Sequence, residues 1–208
     1  EAIEFTRHAR SAGADAALHI SPYYNKPTQE GLYRHHKAIA EAVDIPQILY
    51  NIPGRTAVNM APATVARLAA VKNIVGIKEG SGSLQQVSEI VQACGDRFTV
   101  LAGDDALTLP MMVVGATGVI TVTANVAPAD MAAMVDAWDA GNVAGARALH
   151  FKLYPLFQAL FFETNPVPVK HALALMGKAT ADVRLPLCAM SQENLDKLTR
   201  VMKDYGLV

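Results

Sequence analysis

The chain has 208 residues, of which 51% are hydrophobic and 18% are charged, so it can bury a large core and is too apolar for a disordered chain. The formal net charge is −1, with no basic run and no acidic tail, which argues against nucleic acid or an anionic membrane as the main partner. Cys94 and Cys188 have no metal-type spacing and predict reduced thiols in a cytoplasmic protein. No apolar run reaches membrane-spanning length.

The apolar pattern predicts strands that alternate with helices. Residues 1–10 are typical of the middle of an amphipathic helix, which Gly13 ends. Ser83 and Gln86 predict a capping box for a later helix that Gly95 ends. The predicted strands are 16–20, 47–51, 74–79, 98–102 and 118–123, with helices at 28–43, 62–70, 83–95 and 104–115 between them and at about 128–140, 143–163, 168–176 and 191–204 after them.

Alternating strands and helices indicate a parallel sheet of the α/β class. Tyr50 and Lys78 lie 28 positions apart, close to one βα repeat, and no GxGxxG motif follows a strand. We therefore predict strands 4 to 8 of a (β/α)8 TIM barrel over residues 1–140, beginning with the helix of unit 3, and a C-terminal helical extension over residues 141–208. Because five strands cannot close a barrel, we expect about three more βα units before Glu1, roughly 80 residues, and an open side on the chain taken alone.

Lys78 ends the buried-type strand Ile74–Glu79, and lysine is rarely buried unless it is paired or functional. α/β barrels carry their chemistry at the carboxyl ends of the strands, where desolvation would lower the pKa of this amine and favour a Schiff-base nucleophile. Glu79 should point to the opposite face, because side chains alternate along a strand. The alternative is a strand that simply ends in solvent.

The other strand ends should converge on the same pocket. They supply Tyr50 and Asn51, then Gly103, then Ile120. A phenol beside an amine can shuttle protons during imine formation, although Tyr50 could equally be an ordinary strand aromatic. His35 and His36 are adjacent on a helix, so they face different ways and are expected to be structural rather than a metal pair.

Two loops carry further candidates. Arg55 follows the Tyr50 strand, and its planar guanidinium could bind a substrate carboxylate in a bidentate manner, or could be a surface arginine. Tyr23 and Tyr24 are adjacent aromatics on a loop, which is unusual without a partner surface, unless they cover the rim of the barrel.

Six motifs occur in order along the chain, namely Pro22-Tyr23-Tyr24-Asn25, Tyr50-Asn51-Ile52-Pro53-Gly54-Arg55-Thr56, Gly76-Ile77-Lys78-Glu79, Gly103-Asp104-Asp105, Glu163-Thr164-Asn165-Pro166-Val167-Pro168-Val169-Lys170 and Arg184-Leu185-Pro186-Leu187. Their combination resembles the dihydrodipicolinate synthase family, within the pyruvate-dependent class I aldolase superfamily that includes N-acetylneuraminate lyase. The resemblance covers the whole chain, and Ala57 departs from it because the family usually has Gly after the Arg-Thr pair.

The resemblance implies a role for each candidate residue. Lys78 would form the Schiff base with pyruvate, Tyr50 would relay protons, and Tyr24 would reach into the proton relay of a neighbouring subunit. The residues implied in substrate binding are Arg55, Asn51, Gly103 and Ile120, and those implied in an allosteric lysine site are Tyr23 and Glu1.

The resemblance also implies the reaction and its setting. The expected enzyme is a lyase of diaminopimelate and lysine biosynthesis that condenses pyruvate with L-aspartate 4-semialdehyde to 4-hydroxy-tetrahydrodipicolinate, without a metal or an organic cofactor. The expected form is a cytoplasmic homotetramer, a dimer of dimers, that lysine can inhibit in some members. The alternatives are a sister aldolase, either N-acetylneuraminate lyase or a keto-deoxy sugar acid aldolase, or a truncated non-catalytic chain.

Overall fold

The computed structural model describes residues 1–208, which form two compact units, residues 1–120 and 121–208. In the first unit the elements are α1 (Ala2–Ser11), β1 (Ala17–Ile20), α2 (Gln29–Ala42), β2 (Gln47–Asn51), α3 (Pro53–Thr56), α4 (Pro62–Ala69), β3 (Ile74–Glu79), α5 (Leu84–Cys94), β4 (Thr99–Ala102), a 3-10 turn (Asp105–Leu107), α6 (Thr108–Val113) and β5 (Gly118–Val119). In the second unit they are a 3-10 turn (Thr123–Asn125), α7 (Pro128–Asp139), α8 (Val143–Ala159), α9 (Val167–Leu175) and α10 (Gln192–Tyr205). The predicted boundary after residue 140 falls inside the second unit and stays a prediction.

The five strands form one parallel sheet in the order β1-β2-β3-β4-β5. This unbroken sequential order is typical of a (β/α)8 barrel, whereas a doubly wound sheet reverses its order at a switch point. β1 and β5 each pair with one strand only, so the sheet is open as predicted. Leu18 and Ile20 of β1 are 44% and 43% exposed, which is the apolar flank expected of an open barrel wall.

The other face of the sheet packs against the helices. Leu49, Ile77 and Val100 belong to one buried core with apolar residues of α2, α4 and α5. Gly76 allows β3 and β4 to approach closely, since a Cβ atom there would lie 2.6 Å from the carbonyl oxygen of Thr99. The layer of helices therefore covers one face and leaves the other face of the strands to form a site.

Two predicted details are wrong. Ser83 caps α5 by accepting from the backbone N–H of Gln86, but Gln86 does not reach back to the N–H of Ser83, which donates to Ser81 Oγ instead. The fifth strand is predicted to run to Thr123 but ends at Val119. An apolar run rich in β-branched residues favours a strand, yet the Thr121 hydroxyl accepts from the Ala124 N–H and a 3-10 turn forms in its place.

In the second unit, Asp130, Lys152 and Tyr205 connect three helices. Lys152 Nζ lies 2.6 Å from the Asp130 carboxylate, and the Tyr205 hydroxyl donates to the same carboxylate. The hydrogen bond from Lys152 lowers the pKa of Asp130, and burial raises the pKa of Tyr205. No helix of the protein has both the length and the apolar character needed to cross a bilayer.

His36 is fully buried, and neither of its ring nitrogens has a hydrogen-bond partner. Its ring stacks on His19 with centroids 6.5 Å apart and meets His35 edge-on at 5.0 Å, which supports the predicted structural role. Burial lowers the pKa of His36 to about 3, with smaller contributions from His35 and His19. The folded state therefore holds a neutral imidazole, whereas the unfolded chain takes up a proton near pH 6.5.

Because the folded-state pKa is the lower one, the contribution of His36 to stability is complete above about pH 6.5 and is lost as the pH falls toward 3. We expect the free energy of unfolding to fall by about 3 kcal/mol between about pH 7 and pH 4 through this group. His36→Phe should flatten this dependence, as measured by urea unfolding at each pH. His8→Gln changes an exposed histidine and should leave it unaltered; an equal pH dependence in His36→Phe would contradict the assignment.

Candidate active site

The register of β2 and β3 places Tyr50 directly beside Lys78 at the carboxyl ends of both strands. Lys78 Nζ lies 4.3 Å from the centroid of the Tyr50 ring, so the amine rests over the face of the phenol. Both side chains are half-buried. The strand-end lysine and tyrosine predicted from the sequence are therefore brought together.

Lys78 is in an environment that favours the neutral amine. Burial lowers its pKa, and the negative charge of Asp105 opposes this shift. Burial also raises the pKa of Tyr50, and the positive charge of Arg55 opposes that shift. Burial thus favours the protonated phenol and the neutral amine, and a phenol beside an amine is an arrangement suited to proton exchange.

Asp105 is a functional candidate that the sequence patterns did not single out. It is 2% exposed and lies at the start of the 3-10 turn after β4. Its place before a helix is typical of a cap, but the capping residue is Asp104, whose carboxylate accepts from the Ala106 N–H. The sequence did contain a sign of a second role, because two adjacent aspartates precede the helix and a cap needs only one of them.

Arg55 lies in α3, a single helical turn where the sequence predicts a loop. Ala57 ends this turn with a φ of 58°, in the left-handed region that favours glycine. This explains why glycine suits position 57, and it means that Ala57 is held in a strained conformation at the base of the Arg55 turn.

Gly103 and Ile120 continue the hydrogen-bond ladder beyond the strands. The Gly103 N–H donates to the carbonyl of Glu79, and the Ile120 N–H donates to the carbonyl of Ala102. A Cβ atom at Gly103 would lie 3.0 Å from the Glu79 oxygen and 3.1 Å from Gly80 Cα, so the backbone is tightly packed there. Both residues thus stand at strand ends, but their N–H groups are already used within the sheet.

The side chain of Asn51 is not brought to the Lys78 face. Asn51 pairs with Glu79 in the register, one position beyond Tyr50 and Lys78, so its side chain points to the helices. It is fully buried, and its amide bonds to Glu79, Asn59 and Met60. The side chain therefore lies on the opposite face from Lys78, and the role of Asn51 in substrate binding stays a prediction. Glu79 faces away from Lys78, as predicted.

The remaining candidates lie on the surface. Tyr24 has a φ of 67° and a side chain that is 92% exposed, and Tyr23 is 66% exposed. Glu1 is exposed at the start of α1. No cluster of three or more His, Cys, Asp or Glu side chains with the geometry of a metal site occurs in residues 1–208.

A cavity of about 510 Å³ lies away from this chemistry. Its lining includes Tyr33, Lys37 and Arg67 from α2 and α4, together with Lys72 and Asn73, which precede β3. It therefore opens at the amino ends of the strands, whereas Lys78 is at the carboxyl end of β3. In α/β barrels the carboxyl ends carry the chemistry, so the Lys78 face is the better candidate active site.

Comparison with known proteins agrees with this geometry. The chain is 61% identical over 208 residues to the 4-hydroxy-tetrahydrodipicolinate synthase of Syntrophus aciditrophicus, covering 100% of this chain and 72% of that protein. The fold matches the chloride-inhibited dihydrodipicolinate synthase of Acinetobacter baumannii complexed with pyruvate, with a TM-score of 0.96 and 45% identity over 99% of this chain and 71% of that one. It also matches the enzyme of Cyanidioschyzon merolae with lysine bound, with a TM-score of 0.97 and 41% identity over 99% of this chain and 70% of that one.

These relatives carry the synthase name and not that of a sister aldolase. The family described as the dihydrodipicolinate synthetase family matches residues 1–205, which is nearly the whole chain. The open five-stranded sheet with helices is accordingly part of the (β/α)8 barrel of these enzymes. The chain belongs to the dihydrodipicolinate synthetase family.

Proposed function

We propose that the protein is a lyase that condenses pyruvate with L-aspartate 4-semialdehyde to give 4-hydroxy-tetrahydrodipicolinate, in diaminopimelate and lysine biosynthesis. The observation that carries this proposal is the half-buried Lys78 amine, 4.3 Å from the Tyr50 ring centroid at the carboxyl ends of two adjacent strands. The names of the relatives at 61% and 60% identity support the same reaction.

The first half of the reaction takes place on Lys78. The neutral amine attacks the ketone carbon of pyruvate, and loss of water from the resulting carbinolamine gives a protonated imine. Tyr50, whose ring centroid lies 4.3 Å from Lys78 Nζ, is proposed to pass a proton to the departing hydroxyl and to accept it back. The pKa directions of both groups support these roles, because burial favours the neutral amine and the protonated phenol.

The second half forms the carbon–carbon bond. Loss of a proton from the pyruvate methyl group converts the imine into an enamine, whose carbon attacks the aldehyde of the second substrate. The amino group of that substrate then closes the ring on the imine carbon and releases Lys78 as the free amine. The protonated imine accepts the electron pair of the broken C–H bond, so the proposed chemistry needs neither a metal nor an organic cofactor.

Arg55 is proposed to bind the carboxylate of the semialdehyde, and Gly103 and Ile120 to line the pyruvate site with backbone atoms. The guanidinium lies close enough for its charge to lower the pKa of Tyr50 against the effect of burial. A planar guanidinium binds a carboxylate through two parallel hydrogen bonds, which would fix the orientation of the second substrate near the enamine.

The surface tyrosines are proposed to act between subunits of a cytoplasmic homotetramer. Tyr24 would complete the proton relay of a neighbouring subunit, and Tyr23 with Glu1 would contribute to a site for lysine. An aromatic side chain that is 92% exposed is consistent with a contact supplied by another subunit. The relative from Cyanidioschyzon merolae has lysine bound, which supports lysine as the ligand.

Lys78 should be the point of covalent attachment. Borohydride reduction in the presence of pyruvate is expected to add one pyruvate-derived mass to the peptide that contains Lys78, as read by mass spectrometry. Lys78→Ala should abolish the adduct and lower turnover by several orders of magnitude, because the variant lacks the nucleophilic amine. Lys72→Ala, near the opposite end of the same strand, is the control and should keep the adduct. Trapping at another lysine would refute the mechanism.

Asp105→Asn should move the acidic limb of the trapping rate to lower pH. The Asp105 charge raises the pKa of Lys78, so its removal lowers that pKa and enlarges the neutral fraction of the amine at any given pH. The measurement is the pH dependence of reductive trapping by pyruvate. Asp104→Asn makes the same change at the exposed neighbouring residue, and the asparagine oxygen can still accept from the Ala106 N–H. This variant should therefore leave the pH dependence of trapping unchanged. A shift to higher pH in Asp105→Asn would contradict the electrostatic assignment.

Arg55→Ala should weaken use of the semialdehyde more than imine formation. Loss of one charge-assisted hydrogen bond costs about 1.5–3 kcal/mol, or about 10- to 150-fold in kcat/KM for the semialdehyde. The trapping rate with pyruvate alone should change little. Arg34→Ala removes an exposed arginine of α2 and serves as the control. Unchanged kinetics with the semialdehyde would remove Arg55 from the site.

A further inference from the structure

Behind the Lys78 face, four polar side chains form a hydrogen-bonded group that the proposed reaction does not use. We call it the amide–carboxylate cluster, and it consists of Asn51, Asn59, Glu79 and Gln86. Its carboxylate, Glu79, is 1% exposed and is held by amide N–H groups. A buried carboxylate requires a complete set of donors, and such clusters rigidify the elements that supply them.

Glu79 accepts hydrogen bonds from three different segments. Oε1 accepts from the backbone N–H of Ser81 at 2.7 Å, and Oε2 accepts from Asn51 Nδ2 at 2.9 Å and Gln86 Nε2 at 3.2 Å. All three donors are N–H groups, so the site fits a side chain with two acceptor oxygens and no donor. Glutamine would place an N–H group against one of these donors in either orientation.

Asn51 and Asn59 hold the two ends of the segment that carries Arg55. Asn51 Oδ1 accepts from the backbone N–H of Met60 at 3.0 Å, and Asn51 Nδ2 donates to Asn59 Oδ1 at 2.8 Å. Asn59 is in turn bonded to Gln86 in both directions, at 2.8 and 3.1 Å. The chain thus leaves β2 at Asn51, forms the Arg55 turn, and returns to the same cluster at Asn59 and Met60.

We propose that Glu79 is a positioning residue that, through Asn51 and Asn59, holds the Arg55 turn in place beside the Lys78–Tyr50 pair. This inference rests on the proposed function, since it assigns Arg55 to the second substrate. Asn51 directly follows Tyr50 in β2, and Glu79 directly follows Lys78 in β3. Two consecutive paired positions of the sheet therefore carry the proposed reacting groups and the residues that anchor the turn. Ala57 in a left-handed conformation makes this turn dependent on such an anchor.

The cluster allows a test by exchange of donors and acceptors. In Glu79→Gln, two N–H groups must face each other without an acceptor between them. One hydrogen bond of the cluster is lost, and the Arg55 turn is fixed less firmly. The double variant Asn51→Asp with Glu79→Gln restores every bond between the side chains of the cluster in the reverse direction, provided that the amides of Asn59 and Gln86 rotate by half a turn, and it keeps the bonds from the Met60 and Ser81 N–H groups. The introduced aspartate then accepts from the Met60 N–H, from the introduced glutamine and from Asn59. The carbonyl oxygen of that glutamine still accepts from the Ser81 N–H.

Two readouts separate positioning of Arg55 from general damage. We expect Glu79→Gln to lower kcat/KM for the semialdehyde by at least about 10-fold, as for loss of a hydrogen bond to a charged group, while the rate of pyruvate trapping at Lys78 changes by less than about 3-fold. Amide hydrogen exchange in the segment 52–58 should become faster. The double variant should regain most of the kcat/KM and the slow exchange. Gln85→Ala, which removes an exposed amide of α5 bonded to Glu89, is the control.

Asn59→Ala provides a second variant that leaves the buried carboxylate and its donors in place. It removes the link between Asn51 and Gln86 and should show the same pattern of kinetics to a smaller degree. Equal losses of trapping and of semialdehyde use, unchanged kinetics in both single variants, or no recovery in a folded double variant would each overturn the proposal. Failure of the proposed function would differ from these results, because the unaltered protein would then form no pyruvate adduct or would form the adduct without turning over the semialdehyde.

Discussion

The pairing of β2 with β3 is the constraint on which the site depends. A single register sets Tyr50 beside Lys78 on one face and Asn51 beside Glu79 on the other. Because alternate side chains of a strand point to opposite faces, neither pair can move without the other. The face with the amine stays accessible for substrate, and the face with the carboxylate is sealed by α5 and the segment after the Arg55 turn.

The two faces handle charge in different ways. Glu79 is buried and accepts three hydrogen bonds from N–H groups, which fixes the position of its side chain. Lys78 is half-buried and its pKa is lowered by desolvation, with the charge of Asp105 limiting the shift. This balance suits the proposed role of Lys78, because an amine that is first a nucleophile and later a leaving group needs neither complete neutralisation nor a permanent ion pair.

Sequence patterns predicted the features that depend on local periodicity. The ends of the first four strands, the opposed directions of Lys78 and Glu79, and the parallel sheet follow from alternation and from the spacing of βα units. The role of Gln86 was not predictable, because a glutamine three positions after a serine has the same signature whether it caps its own helix or bonds to a carboxylate on the preceding strand. The hydrogen bonds of Asn51 were not predictable for a related reason, since its place at a strand end was evident but its partners Asn59 and Glu79 are distant in the sequence.

The reversible geometry of the amide–carboxylate cluster bears on how the sequence can change over evolution. Asn51 and Glu79 form a donor–acceptor pair that works as Asn with Glu or as Asp with Gln, and a single exchange leaves a mismatch. A substitution at either position is therefore coupled to the other, although neither side chain faces the Lys78 amine that we propose to react with pyruvate. Selection for the position of the Arg55 turn would therefore appear as covariation between Asn51 and Glu79, which are 28 positions apart in the chain and adjacent in the sheet.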